Sequence, residues 1–377
     1  MSAGRCLLFV VNNPAFFMSH RVPVAVAAQK AGYDVHVATM DGPAVADIQA
    51  LGMTHHPIPM TRSGKHPLQE LGTLLALVRL FRRLRPDVVH LVTIKPVLYG
   101  GIAARIARVP GMVAAISGLG FVFLSNSLKM RLVRAVVARL YRIALGHPNS
   151  RVIFQNANDR DLLKSLGAVR EDQVVIIRGA GVDLDAYRPT PEPPAPPVVV
   201  TMVARLLRDK GVQEFVQAAK LLRERGVPVT MQLVGGLDAG NPASATQADV
   251  DAWQQEGCVE ALGERSDVAA LYAAAHIAVL PSYREGLPKS LIEAAACGRA
   301  VVTTDVPGCR DAIEPDVTGL LVPVRDAAAL ADAIVRLAED AALRQSMGTA
   351  GRALAEREFD INQVARIHVA LYDALSA

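Results

Sequence analysis

The sequence predicts an α/β chain built from two doubly wound, Rossmann-like domains that face each other across a cleft. Short Val/Ile-rich runs of about five to seven residues alternate with longer helical patterns from end to end, the mark of parallel βαβ units. A proline cluster near the middle, "RPTPEPPAPP" at 188–197, can be neither helix nor central strand and separates two such series. The 377 residues, half of them apolar and a fifth charged, suffice for two buried cores. The expected division is an N-terminal domain over 1–187, a linker over 188–197, a C-terminal domain over 198–359 and a terminal helix over 360–377.

Seven strands are expected before the linker. They are 5–12 (RCLLFVVN), 33–39 (YDVHVAT), 54–59 (THHPIP), 87–92 (DVVHLV), 112–117 (MVAAIS), 151–155 (RVIFQ) and 173–178 (QVVIIR). Each is short, β-branched and bounded by turn-forming residues. Six more follow, near 198–204, 228–234, 257–262, 276–281, 300–304 and 319–322, with helices between them. The last segment, "INQVARIHVALYDALSA", reads as an amphipathic helix that can cross back to the N-terminal domain. Ligands of doubly wound domains bind at strand C-termini, so chemistry is expected there.

Several function classes drop out. The loop after the first strand, "NNPAFFMSH", lacks the G-x-G-x-x-G of a dinucleotide site, and no Walker A sequence occurs. "SGLGFVF" at 117–123 has two glycines without the third and reads as a strand-to-helix turn. Cys6, Cys258, Cys297 and Cys309 lack zinc or redox spacing, so reduced cysteines and a cytoplasmic setting are expected. The N-terminus enters the first strand directly, unlike a signal peptide. The most apolar stretch, "LGTLLALVRLFRRLRP", is broken by Arg79, Arg82, Arg83 and Arg85, so a soluble chain is expected. Its net charge of +4 hides an asymmetry: residues 1–188 hold 23 basic against 11 acidic residues, and the remainder 17 against 25. The N-terminal half is therefore expected to meet an anionic partner.

The most informative stretch is "PSYREGLPKSLIEAAACG", 281–298. Glu285 stands in a Gly-Leu-Pro loop, and Glu293 stands inside a helix expected to start near Pro288. Gly286 permits unusual φ, and the free amides of a helix start can receive an anion or polarised hydroxyls. A carboxylate suits vicinal hydroxyls, so one ligand with a sugar at one glutamate and a ribose at the other accounts for the spacing.

Glu285-x7-Glu293, within "YREGLPKSLIEAAACGRAVVTTDVPGCRDAI", resembles the EX7E motif of GT-B fold retaining glycosyltransferases of family 4. "VARLLRDKGV" (203–212) resembles that family's donor-diphosphate segment, and "LGERSDVAALYAAAHIAVLPS" (262–282) its nucleotide-base loop. "RGAGVDLDAYRP" and "DVVHLVTIKPVLYGGIAARIARVP" extend the likeness over nearly the whole chain. The subgroup resembled is bacterial: capsule and O-antigen transferases of surface polysaccharide biosynthesis, acting on polyprenyl-diphosphate-linked acceptors. The resemblance implies transfer of a hexose or N-acetylhexosamine from a UDP-sugar, with retention and without a metal or other cofactor. It implies that Arg205 and Lys210 clamp the donor diphosphate, a task that suits a bidentate fork and a point charge. It further implies that Glu285, with the amides of Gly286 and Leu287, holds the sugar, that Glu293 holds the ribose, and that Arg265 borders the base. Ser117-Gly118 stands where many members have His-Gly, so Ser117 bears on sugar identity.

His20 and Asn13, after the first strand, are acceptor candidates, His20 equally as a helix cap. His90 reads as a core histidine, and Asp183-Leu-Asp185 as a turn and cap rather than a DxD metal site. A nucleotide-sugar 2-epimerase of the same fold and a non-catalytic sugar-nucleotide-binding partner remain alternatives. Finally, no acid lies between Asp87 and Asp159, where nine basic residues occur. Within that span 128–145 reads as a helix, with an apolar arc of Leu132, Val133, Val136, Val137, Leu140, Ile143 and Ala144. The opposite arc, Arg131, Arg134, Arg139 and Arg142, is expected to attach the protein peripherally to the inner face of an anionic cytoplasmic membrane.

Overall fold

Every strand of the chain runs parallel to its neighbours, in two separate sheets. The computed structural model describes residues 4–60, 67–119, 128–238 and 241–376, with backbone alone for Pro67 and 128–133. The chain divides into two compact units, residues 1–180 with 362–377 and residues 181–361.

The first unit opens with β1 (Cys6–Val11), α1 (Pro14–His20), α2 (Val22–Lys30), β2 (Asp34–Thr39) and α3 (Val45–Ala50). It continues through β3 (Thr54–Pro57), α4 (Pro67–Leu84), β4 (Val88–Val92), α5 (Gly101–Ala107) and β5 (Gly111–Ile116). It then passes through α6 (Leu128–Leu145), β6 (Ser150–Phe154), α7 (Ala157–Ser165) and β7 (Val174–Ile176). The sheet order is β3-β2-β1-β4-β5-β6-β7, so the winding reverses between β1 and β4. Alternation along β1 sends Leu7, Phe9 and Val11 to one core, and Leu8 and Val10 to the other. The second of these cores is closed by α4, α5 and α6.

The second unit holds β8 (Val198–Val203), α8 (Val212–Glu224), β9 (Val229–Val234), α9 (Gln247–Gln255), β10 (Glu260–Gly263) and α10 (Val268–Ala273). After these come β11 (Ile277–Leu280), α11 (Lys289–Ala296), β12 (Ala300–Thr304), β13 (Gly319–Val322), α12 (Ala327–Glu339) and α13 (Ala341–Glu358). The order β10-β9-β8-β11-β12-β13 repeats the same reversal. Residues 188–197 carry neither helix nor strand up to Pro197. They pack within this unit: buried Arg344 donates to both Glu192 carboxylate oxygens at 3.0 and 2.8 Å, and His276 Nε2 lies 3.1 Å from Pro193 O.

The terminal helix, α14 (Ile361–Ser376), returns to the first unit as anticipated. Tyr372 and Leu375 enter the Leu7–Phe9 core, and Asn149 Nδ2 donates to Leu375 O at 3.0 Å. Beside Tyr372 lie Arg21, His90 and His368, all buried. The core reading of His90 is met by geometry: its Nδ1 lies 2.6 Å from the Tyr372 hydroxyl.

Burial pushes His90 well below its usual 6.5, with His368 and Arg21 adding to the effect, and burial beside Arg21 lowers His368 to about 3. Both groups are depressed relative to the unfolded chain. Their contribution is therefore complete above pH 6.5 and is lost as pH falls through that value toward 3. For His368 the linkage amounts to ~2 kcal/mol at pH 5. Urea unfolding at pH 7.5 and 5.0 should show wild type losing about that much more than His368→Leu; equal losses would remove His368 from the acid response.

Candidate functional site

Four loops leave the C-terminal ends of β8, β9, β11 and β12, and hydrogen bonds tie them together. Backbone N–H groups of Leu206 and Tyr283 donate to Gly236 O (3.0 Å) and Asp209 O (2.9 Å), and Glu285 N donates to Pro307 O at 3.2 Å. Gly211 and Gly308 permit the close approach. Their φ values are +75° and +83°, and a Cβ at either would stand 2.1 Å from Pro281 O or 2.4 Å from Glu285 O.

These loops place Glu285 and Lys210 in one part-buried ion pair. Ser282 Oγ donates to the same oxygen, Glu285 Oε1, at 2.7 Å. Arg205, half exposed, donates through Nη1 to buried Asp238, which also accepts from Asn241 Nδ2 at 3.2 Å. A guanidinium carries five donors, so one bond anchors it and leaves capacity for an anion. Arg205, Lys210 and Glu285 thus stand on the linked loops at the strand ends.

α11 begins one residue later than expected. Pro288 is its N-cap, at φ −73° and ψ 122°, and no side chain caps the first turn. Gly286 and Leu287 immediately precede it; the Leu287 side chain is in the core, so only its backbone can serve a ligand. Glu293, in the second turn, is buried and does not join the Glu285 cluster. Its Oε1 lies 3.0 Å from Lys289 Nζ, and it accepts from the Tyr187 phenol. Glu285 lies outside the helix, so the sequence spacing does not stack the two carboxylates. Arg265, exposed after β10, donates to Asp267 at 2.8 Å, a local pairing.

Sequence reasoning missed Ser282, Asp238, Tyr283 and Arg325. Burial pushes the Asp209 carboxyl up, against the pull of Lys210, Arg208 and Arg325. The Arg325 guanidinium stands 4.7 Å from the Tyr283 ring centre, and Tyr283 donates to Glu214 at 2.7 Å. Ser282 could have been found from its place three residues before Glu285 at the end of an apolar strand. Asp238 and Arg325 carry no local signal.

In the first unit, Ser117 and Gly118 follow β5, half-buried, with Gly118 at φ +112°. Asn13 Oδ1 caps α1, accepting from Ala15 N–H at 2.8 Å and Phe16 N–H at 3.4 Å. His20, at the other end of that helix, stacks on Phe16 at 4.1 Å, and its Nδ1 lies 2.5 Å from Ser19 Oγ. Asp183 Oδ1 accepts from Asp185 N–H at 2.9 Å and Ala186 N–H at 3.1 Å, a turn cap.

α6 spans the residues expected, but its buried face is rotated. Ala138, Tyr141, Ala144 and Leu145 are buried, whereas Val136 and Ile143 are 54% and 40% exposed, beside Arg139 and Arg142. The large Tyr141 ring takes the core position, which turns Val136 and Ile143 outward. The side chains of Arg131, Leu132 and Val133 lie outside the described residues. Arg142 Nε donates to Leu166 O at 2.6 Å. Among the described residues no helix is long and apolar enough to cross a membrane.

Comparison with known proteins places this geometry. The family model for glycosyl transferases group 1 matches residues 197–340, and that for glycosyl transferase 4-like matches residues 6–156. The chain is 29% identical to the N,N'-diacetylbacillosaminyl-diphospho-undecaprenol alpha-1,3-N-acetylgalactosaminyltransferase of Campylobacter jejuni, over 97% of each chain. It is 26% identical to the UDP-Gal:alpha-D-GlcNAc-diphosphoundecaprenol alpha-1,3-galactosyltransferase of Escherichia coli, over 73% of this chain and 72% of that one. Its fold is shared with Anabaena Alr3699/HepE, crystallised with UDP and glucose: TM-score 0.78, 21% identity, 98% of this chain and 100% of that chain.

Proposed function

The chain belongs to the group 1, family 4 glycosyltransferases, retaining enzymes of GT-B fold, and on that premise we propose that it moves a hexose or N-acetylhexosamine from a UDP-sugar to a polyprenyl-diphosphate-linked saccharide. The observation that carries this reading is the Lys210–Glu285–Ser282 cluster with Arg205 on adjoining loops. The names of the two relatives, each specifying an undecaprenyl-diphosphate-linked acceptor and one a UDP-sugar, support the substrate classes.

In this reading Arg205 and Lys210 receive the donor diphosphate. A diphosphate competes with Glu285 for the Lys210 ammonium, which frees the Glu285 carboxylate to accept from sugar hydroxyls. The amides of Gly286 and Leu287 assist it. Glu293 serves the ribose, with Lys289 and Tyr187 already fixing its carboxylate. Arg265 borders the base, Ser117 and Gly118 bear on the sugar, and Asn13 or His20 meets the acceptor. The acceptor hydroxyl forms a bond to the anomeric carbon as the bond to the diphosphate breaks on the same face. Its proton passes to the departing phosphate oxygen. Charge on the leaving group is met by the two cations, so positioning and electrostatics supply the rate. The enzyme acts in the cytoplasm, held at the inner leaflet by the arginines of α6.

One assay tests the reading. UDP-sugars are incubated with and without short-chain polyprenyl-diphosphate saccharides, and lipid product and nucleotide sugar are both followed. Elongated lipid, formed equally with a chelator present, is the expected result. An epimerised UDP-sugar formed without acceptor would replace the transferase with a 2-epimerase, and donor binding without either product would leave a binding protein. Loss of activity with chelator and its return with Mn²⁺ or Mg²⁺ would overturn the metal-free step.

A further inference from the structure

α4, α5 and α6 pack side by side over one face of the first unit's sheet. Their outward surface is unusual in what it leaves in water. Of the twelve large hydrophobic side chains exposed among the described residues, six lie on these three helices: Leu68, Leu71, Leu75, Ile106, Val136 and Ile143. Such side chains scattered singly need no explanation, but half of the total on one helical layer does. Leu68, Leu71 and Leu75, at 84%, 50% and 45% exposure, recur at three- and four-residue spacing and so form one stripe along α4.

The same helices carry almost no negative charge. Their one acid, Glu70, is bound by Lys95 Nζ at 2.8 Å. Arg79, Arg82 and Arg83 continue α4 beyond its leucines, are exposed, and form no ion pair among the described residues. Beside them, between α4 and the edge strand β3, lies a groove of about 410 Å³. Pro57, Ile58, Ala76 and Leu80 supply its apolar lining, and His56, Arg79 and Arg83 its polar groups. Apolar and cationic groups in one stripe, without acids, complement a partner that is apolar beneath an anionic surface. A protein partner would supply carboxylates one at a time; a bilayer of anionic lipid supplies both features everywhere.

We propose that the outer face of the α4–α5–α6 layer is the docking surface for an anionic bilayer, with Leu68, Leu71 and Leu75 entering the headgroup boundary and Arg79 and Arg83 seating a lipid phosphate in the adjoining groove. The proposal deepens the membrane part of the function given above. It moves the attachment from the arginines of α6 alone to a surface whose apolar contribution comes from α4. Arg139 and Arg142 then add long-range attraction at its far side.

The test is flotation of the full-length protein with vesicles of phosphatidylglycerol and phosphatidylcholine, or phosphatidylcholine alone. Three variants are compared: Leu68→Ser/Leu71→Ser/Leu75→Ser, Arg79→Gln/Arg82→Gln/Arg83→Gln, and Arg139→Gln/Arg142→Gln. All the substituted positions are exposed, and thermal melts check the fold. The leucine variant should partition onto the anionic vesicles about tenfold less than wild type, and the α4 arginine variant at least as much less, since each arginine near the surface contributes roughly fivefold. The α6 variant should lose less than either. UDP affinity and transfer to a water-soluble acceptor should be unchanged in all three, so failure of that transfer in wild type strikes the enzymatic reading and leaves the docking result standing. The proposal is overturned if the α4 variants float as wild type does, or if wild type binds both vesicle types equally. Release by millimolar inorganic phosphate at constant ionic strength would make the groove a site for free phosphate. Self-association without vesicles that the leucine substitutions abolish would make the stripe a protein contact.

Discussion

Glu285→Gln should lower turnover by about 10²- to 10³-fold while leaving a folded enzyme that still binds UDP, the scale of loss when one preorganised electrostatic contact at a reacting centre is removed. The substitution keeps the shape of the side chain and one acceptor oxygen for the Ser282 hydroxyl, which now donates to Glu285 Oε1 at 2.7 Å. It removes the charge paired with Lys210 and the second strong acceptor for sugar hydroxyls. Neither partner is in the apolar core. The Lys210 ammonium is part-exposed and stands near Asp209 as well, so the lost pair should cost about 1 kcal/mol of stability. Steady-state transfer rates and a thermal melt on the same preparation separate the two effects. Near-normal turnover in a folded Glu285→Gln enzyme would sink the assignment of this loop to the donor sugar.

The architecture was largely legible because parallel sheets buried on both faces write themselves as short apolar runs. All thirteen expected strands exist, most within two residues of their expected ends, and the 128–145 helix has its expected bounds. The orientation of that helix was not legible. A helical wheel ranks positions by hydrophobicity, whereas the packed helix buries Tyr141 and leaves Val136 and Ile143 in solvent. Ring volume against the sheet outweighed the aliphatic count. The stripe on α4 was hidden for a related reason: "LGTLLALVRL" reads as a core run, yet Leu77, Val78, Leu80 and Phe81 take the core positions and leave Leu71 and Leu75 outside.

At the site, local motif residues were legible and long-range partners were not. Glu285 and Lys210 lie 75 positions apart in sequence and meet because β8 and β11 are neighbours in the sheet. Each was visible in its own segment, but the ion pair between them was not. Asp238 and Arg325 arrive from the ends of β9 and β13, and only the strand order brings them to the same set of loops. Glu293 shows the converse. Its spacing from Glu285 is a motif in sequence, yet in space its carboxylate belongs with Lys289 and Tyr187.

Lys210→Ala should weaken UDP by about 10- to 100-fold and leave uridine almost unchanged, the range expected for a charge-assisted hydrogen bond worth roughly 1.5–3 kcal/mol. The ammonium is held by Glu285 on a loop end fixed through Gly211, so it meets a diphosphate without a search for geometry. Removing it also leaves the Glu285 carboxylate facing the incoming phosphates without a cation, which adds repulsion to the lost attraction. Arg205→Ala should cost less. Its guanidinium is half exposed, and Asp238 keeps its bond from Asn241. Calorimetric titration with uridine, UMP, UDP and inorganic diphosphate resolves the contributions. The deficit should grow with each added phosphate, and diphosphate should compete with UDP on wild type far better than on Lys210→Ala. Equal losses for uridine and UDP would mean that the substitution disturbs the fold of the loops, and Lys210 would then have no direct part in holding the leaving group.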